Sequence, residues 1–203
     1  MTTVTVQTMP AEPTTVRKLD TPESGELAQL SAVFEDLQFV LRCCEQLVSA
    51  LAVPRPDTAL VEALWTAALV GYVRCFSGRT KILTDADVES LELEDEVVTF
   101  HRTFPTLRDH YASRHVNPRE EFTIGIAQAN DGSPTGVAIV SAPRPLVDDT
   151  TVRVLGRLGY ALSGLVDARM QEAQGRVLEA ARAMKPAQLA ALPLVHLSTE
   201  PVG

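Results

Sequence analysis

From Glu26 to Val53 the apolar residues fall at Leu27, Leu30, Phe34, Leu37, Leu41, Cys44, Val48 and Leu51, three or four apart for nearly four heptads. That spacing predicts a long amphipathic helix. Val33, Val40 and Leu47 widen the stripe beyond a coiled-coil seam, so the face meets two neighbours rather than one partner helix. Pro54 and Pro56 stop it, and Asp57 or Thr58 caps a second helix from Ala59 to about Phe76. Leu60, Leu64, Trp65, Ala67, Ala68, Val70 and Tyr72 surround most of that helix, with little charge before Arg74. It is expected to be the most buried element.

Ser77-Gly78-Arg79-Thr80 reads as a loop, and Thr84 begins an acidic segment of Asp85, Asp87, Glu89, Glu92, Glu94, Asp95 and Glu96. A calcium loop is disfavoured there, because Ser90 stands where the sharp turn needs Gly and Glu92 where that loop packs an apolar residue. A Thr84-capped helix start, with acids near the positive end of its dipole, fits better. A third helical region runs from about Glu94 to Val116 on Val97, Val98, Phe100, Phe104, Leu107 and Tyr111. Pro105 either kinks it or opens a second helix with Thr103 as cap, and Asn117-Pro118 ends it. Phe122 to Ala129 and Val137 to Ala142 flank Asn130-Asp131-Gly132-Ser133-Pro134-Thr135-Gly136, a hairpin signal.

Beyond Pro143 and Pro145, Asp148 to Thr150 opens a last long helix to about Met184, with Val152, Leu155, Leu158, Leu162, Leu165, Val166, Met170, Val177, Leu178 and Ala181 along its seam. Gly156, Gly159 and Gly164 inside it each cost about 1 kcal/mol relative to Ala, which implies close approach of another helix backbone. The pattern therefore predicts a mainly α fold with one hairpin, at about 122–142, inserted before the last long helix. Residues 1–25, rich in Thr and Pro, read as a flexible tail, with a short strand at Val4-Thr5-Val6 disfavoured; 26–185 read as one helical domain with no break in the middle, and 186–203 as a second tail.

Composition narrows the class. The chain has 203 residues, 45% hydrophobic and 22% charged, with a net charge of −8. Wholesale disorder and a membrane protein both fit poorly, since no run approaches the ~18 to 20 uninterrupted apolar residues of a spanning helix. Met1-Thr2-Thr3-Val4-Thr5 lacks the basic start and apolar block of a secretion signal, so a soluble cytoplasmic protein is expected. The acidic balance argues against coating nucleic acid, which needs surplus Lys and Arg. Lys occurs only at Lys18, Lys81 and Lys185, and the Arg, Ala and Val content suits a GC-rich genome such as that of an actinobacterium or its phage. Three cysteines, two of them adjacent, form neither a disulfide framework nor a Cys-x-x-Cys metal spacing and are expected as free buried thiols.

One local patch runs against the overall sign. Three of the four histidines, His101, His110 and His115, lie among Arg102, Arg108, Arg114 and Arg119. Helix geometry disfavours a metal: His110 and His115 are five apart, about 140° around the axis, and His101 and His115 are ~21 Å apart along it. Arg108 and His115 are two turns apart and emerge within ~20° of each other. Arg to hold a phosphate oxygen and His to move a proton could support attack of a ribose 2′-hydroxyl on the adjacent phosphate without metal. The competing reading is an exposed helix face whose Arg and His are simply solvated.

Leu107-Arg108-Asp109-His110-Tyr111-Ala112-Ser113-Arg114-His115-Val116-Asn117 resembles the signature of the HEPN superfamily (higher eukaryotes and prokaryotes nucleotide-binding), an Arg followed by Asn or Asp and then, four to six residues on, His. It is most similar to a bacterial branch related to abortive-infection proteins, as is Tyr72-Val73-Arg74-Cys75-Phe76-Ser77-Gly78-Arg79. The resemblance covers about Glu26 to Met184 and implies an up-and-down bundle of four to five helices, dimerised through the motif helices. It implies a metal-independent endoribonuclease, a toxin or antiviral effector, with no cofactor, RNA as substrate and a protein partner or antitoxin. Arg108 would stabilise the transition state, Asp109 orient Arg108 or His115, and His115 act as acid and base. Arg74, Arg79, His101, His110, Tyr111 and Arg114 are the residues expected at the substrate. The His of that branch stands one position earlier, where this chain has Arg114, and the six-residue spacer is the long limit of the pattern. The alternative is a catalytically silent HEPN-like module that binds protein or nucleotide.

Overall fold

A computed structural model of the chain describes residues 15–77, 82–112 and 120–195. Val4-Thr5-Val6, the 78–80 part of the loop after Ser77, Asn117-Pro118 and the site candidates Arg79, Arg114 and His115 lie outside the described residues. Among the described residues the order is α1 (Pro22–Leu51), α2 (Thr58–Cys75), α3 (Asp85–Glu89), α4 (Asp95–Ala112), β1 (Glu120–Gln128), β2 (Pro134–Pro143), α5 (Asp149–Arg182) and α6 (Pro186–Ala191). The fold is mainly helical, with a two-stranded antiparallel hairpin before the last long helix, as the hydrophobic pattern predicts.

The chain divides into two compact units, residues 32–167 and residues 1–31 with 168–203. In the larger unit Leu37, Val40, Cys43, Cys44 and Leu47 of α1 are buried, as are Val61, Trp65, Ala68, Leu69 and Tyr72 of α2. Asp57 caps α2 by accepting from the backbone N–H of Ala59 at 3.0 Å and Leu60 at 3.2 Å, which settles the choice between Asp57 and Thr58. By length and mean hydropathy of 1.2, α2 could cross a membrane, but eight of its residues are buried in this unit's core. Gly71 lets it lie close on α1: a Cβ there would meet Val40 Cγ2 at 3.1 Å.

Helix directions follow from which residues meet. Arg74, at the end of α2, pairs with Asp36 of α1, so these helices are antiparallel. Tyr72 meets His101 whereas Trp65 meets Phe104, so α4 runs antiparallel to α2. On α5, Gly156 lies over Cys44, Gly159 over Leu41 and Val40, and Ser163 accepts from Gln38, which makes α5 antiparallel to α1. The close approach expected from glycine thus occurs at Gly156 and Gly159, where a Cβ would stand 3.7 and 3.4 Å from the neighbouring side chain, and not at Gly164, which has nothing within 4 Å.

Pro105 lies inside α4 without ending it. The acidic segment is spent on fastening neighbours. Asp87 Oδ2 accepts from the Thr84 backbone N–H and hydroxyl, Glu89 pairs with Arg102, and Glu94 with Arg157. In the hairpin Ile124 faces Ile139, flanked by Phe122 opposite Ser141 and Ile126 opposite Val137. Gly132 takes a φ of 82° in the turn, a left-handed conformation that favours glycine.

The smaller unit holds the described parts of the expected tails, 15–25 and 186–195, with the start of α1 and the end of α5. Pro22 opens α1, where its missing N–H is harmless in the first turn, and 186–191 form α6. Arg17 bridges Leu194, with Lys18 N–H donating to the Pro193 carbonyl and Val195 N–H to that of Val16. Arg176 pairs with Glu26 at 2.7 Å.

Phe104 is fully buried whereas Phe122 is half exposed on the hairpin. In chemical denaturation Phe104→Ala is expected to cost about 3–5 kcal/mol. Phe122→Ala is expected to cost under about 1 kcal/mol. Equal losses would contradict this placement of the core.

Candidate functional site

The buried stripe of α4 runs through Val97, His101 and Phe104, at the three-four spacing of an inward helix face. Its next positions are Arg108 and Tyr111. Where a purely structural helix would continue with Leu or Val, this one has an arginine, its side chain 34% exposed and paired with the exposed Asp109, and a tyrosine. Both are half-buried, while Asp109 and His110 between them are exposed.

Two sets of polar contacts occur at this end of the helix. Asp109 Oδ1 accepts from Arg108 Nε at 2.9 Å and from a second guanidinium N–H. One turn on, the Tyr111 phenol is pushed up by burial and by the Glu62 carboxylate, against the opposing pull of Arg144 and of a hydrogen bond from the Trp65 indole. Tyr111 thus stays a neutral hydroxyl at physiological pH.

Tyr111 also lines a cleft of about 250 Å³ with Glu62, Trp65, Glu120, Pro143 and Arg144 among its walls. In the sequence, segment 113–119, which carries Arg114 and His115, begins two residues after Tyr111 and is followed by Glu120, and both Tyr111 and Glu120 line the cleft. The combination of an aromatic floor, a cation and two carboxylates was not visible in the sequence. Trp65 reads there only as a core residue, and Arg144, between two prolines, carries no motif.

The other described candidates, His101, Arg74 and His110, do not line this cleft. His101 is 6% exposed, with Nδ1 accepting from the Tyr72 hydroxyl at 2.7 Å and Nε2–H donating to Asp85 Oδ1 at 3.2 Å, the tautomer being assigned from these partners. Both ring nitrogens are thereby engaged in the packing of α2, α3 and α4, and His101 also lines a separate cleft of about 230 Å³ with Tyr72, Phe76, Asp85 and Arg102. Burial pushes the Tyr72 phenol up, so it remains the donor. Arg74 donates from Nε to Asp36 Oδ2 at 2.8 Å and from a second guanidinium N–H to Oδ1, on an exposed face. His110 is exposed on α4. Arg108, Asp109 and Tyr111 thus share the end of α4, Tyr111 alone of them lining the cleft, while Arg74 and His101 are held on other partners.

No group of three or more His, Cys, Asp and Glu residues is placed to hold a metal among the described residues. Cys43, Cys44 and Cys75 are free and buried. Burial pushes all three thiols up, Cys44 and Cys75 to about 12, so none is a ready nucleophile at neutral pH. The folded protein is therefore expected to react negligibly with a thiol-disulfide reagent at mildly alkaline pH and to titrate all three thiols after denaturation. A fast-reacting thiol in the folded state would contradict the packing described. Compared with protein-family models, curated proteins and solved structures, the chain finds no match, so the site is read from its own residues.

Proposed function

We propose that the chain is a HEPN-like, metal-independent endoribonuclease acting in the cytoplasm, of the toxin or abortive-infection type. The observation that supports this most is the half-buried place of Arg108 on the same helix stripe as Val97, His101 and Phe104, paired with Asp109 and one turn from a cleft-lining tyrosine. A guanidinium so held loses little freedom on meeting a phosphate oxygen, and its fixed charge suits the charge that grows on phosphorus in the transition state. Tyr111 offers half-exposed aromatic surface for a nucleobase, and Arg144 a second cation.

The reaction joins the ribose 2′-oxygen to the adjacent phosphorus and breaks the bond from phosphorus to the 5′-oxygen of the next nucleotide. His115, the residue that the motif supplies, takes the proton of the 2′-hydroxyl or gives one to the leaving 5′-oxygen. The products are a 2′,3′-cyclic phosphate and a 5′-hydroxyl. Asp109 positions Arg108, which touches the phosphate.

A catalytically silent HEPN-like module, binding a nucleotide or a protein, is favoured by a different observation. Arg74 and Arg108 already hold carboxylates, Asp36 and Asp109, and an RNA phosphate must displace or share them.

Incubation of purified protein with RNA in chelator separates the two. The nuclease is expected to leave 2′,3′-cyclic phosphate ends, and His115→Ala or Arg108→Ala to slow cleavage by about 10²–10⁴-fold with helicity unchanged. Cleavage that survives both substitutions removes the assignment. An intact wild-type RNA pool, with nucleotide or protein binding lost in Arg108→Ala, establishes the silent module instead.

A further inference from the structure

The most exposed apolar surface of the larger unit is the hairpin. Alternation along the strands and the register Phe122 to Ser141, Ile124 to Ile139 and Ile126 to Val137 put Phe122, Ile124, Ile126, Val137 and Ile139 on one face. Their exposures are 50%, 64%, 61%, 69% and 70%. The opposite face carries small residues, Gly125, Ala127, Gly136 and Ala138, with Thr123 and Val140. An isolated two-stranded hairpin is marginal in water, and large apolar side chains concentrated on one of its faces gain by being covered.

We propose that this face docks against the same face of a second copy of the chain, two hairpins packing sheet on sheet about a two-fold axis. Charge argues for that occupant. From Phe122 to Pro143 the only charged residue is Asp131, in the turn, and Glu120, half-buried on the same face, stands at its edge beyond Phe122. A chain of net charge −8 that meets itself must do so across uncharged surface, and the hairpin provides it. Nucleic acid or an anionic membrane finds no cation on it.

Symmetry points the same way. Ile124 and Ile139 face each other at the centre of the patch, with Phe122 on one side and Ile126 and Val137 on the other. A two-fold operation lays this centre on its copy, which is the self-complementarity that an isologous interface requires. Five side chains at these exposures make a patch on the order of 400 Å², within the range where a monomer's largest apolar patch is often functional. Two such faces bury on the order of 800 Å² in total, at the low end for specific complexes, so the dimer is of the weak, concentration-dependent kind. This interface is separate from the motif helices, through which the sequence resemblance implies dimerisation.

Sedimentation of the full-length chain over a dilution series tests the proposal by mass alone, independently of RNA cleavage. The wild type is expected to rise from the 22.0 kDa of one chain to twice that mass as concentration increases. Ile124→Lys and Ile124→Glu, each alone, are expected to weaken dimerisation by about tenfold or more, with the helical circular dichroism unchanged. Mixing the two variants in equal amounts restores the dimer, because opposite charges then meet at the interface centre. A wild type that stays at single-chain mass overturns the proposal, as does a dimer that either variant leaves intact. Failure of the mixture to reassociate also counts against it, since a different partner or another segment of this chain would then be the natural cover of the face.

Discussion

The larger unit turns on one buried polar contact, the hydrogen bond from the Tyr72 hydroxyl to His101 Nδ1 at 2.7 Å. A histidine with 6% exposure is tolerable only if its ring nitrogens have partners, and the two available lie on different elements, Tyr72 on α2 and Asp85 at the start of α3. The bond therefore fixes α4 against α2 in both rotation and height. Around it Tyr72, Phe76, Trp65 and Phe104 pack at ring-centroid distances of 4.8 to 6.4 Å from one another or from His101, mostly edge to face. The apolar contacts supply most of the burial, while the polar one selects which rotation of α4 is allowed.

That selection reaches the candidate site. Arg108 is seven residues beyond His101, two turns along the same face, so the register that satisfies His101 also leaves Arg108 half-buried. Rotating α4 by one residue would orphan the histidine nitrogens and swing the guanidinium toward solvent. Asp109 then narrows the directions open to Arg108, and Tyr111 continues the face into the wall of the cleft. The acidic residues 85–94, which look in the sequence like a region apart, are the fastening on the other side. Asp85 takes the second histidine nitrogen, Glu89 reaches Arg102 and Glu94 reaches Arg157.

The helices were legible because burial of one face leaves a periodic record, and the hairpin because Asn130-Asp131-Gly132 has few other uses. Local signals also located Asp57 and Thr84 at helix starts. The contact between Tyr72 and His101, 29 residues apart, leaves no such record: His101 stands among arginines and reads as part of a basic patch. The cleft was illegible for the same reason, since Glu62, Trp65, Tyr111 and Arg144 are gathered from distant stretches of chain. Proline misled at the N-terminal end. Pro22 reads as a helix breaker but serves as the first residue of α1, and Arg17 finds its strand partner at Leu194, a pairing of distant residues that no local pattern encodes.

The central claim is that the Tyr72–His101 bond, rather than apolar packing alone, sets α4 on α2. A double-mutant cycle of Tyr72→Phe and His101→Leu, read by denaturant unfolding, tests it most directly. Each single change leaves a buried polar partner unsatisfied and is expected to cost about 1–3 kcal/mol. The double variant removes both groups, so its cost should fall short of the sum of the two by about 1 kcal/mol or more. Losses that add within about 0.5 kcal/mol would contradict the account.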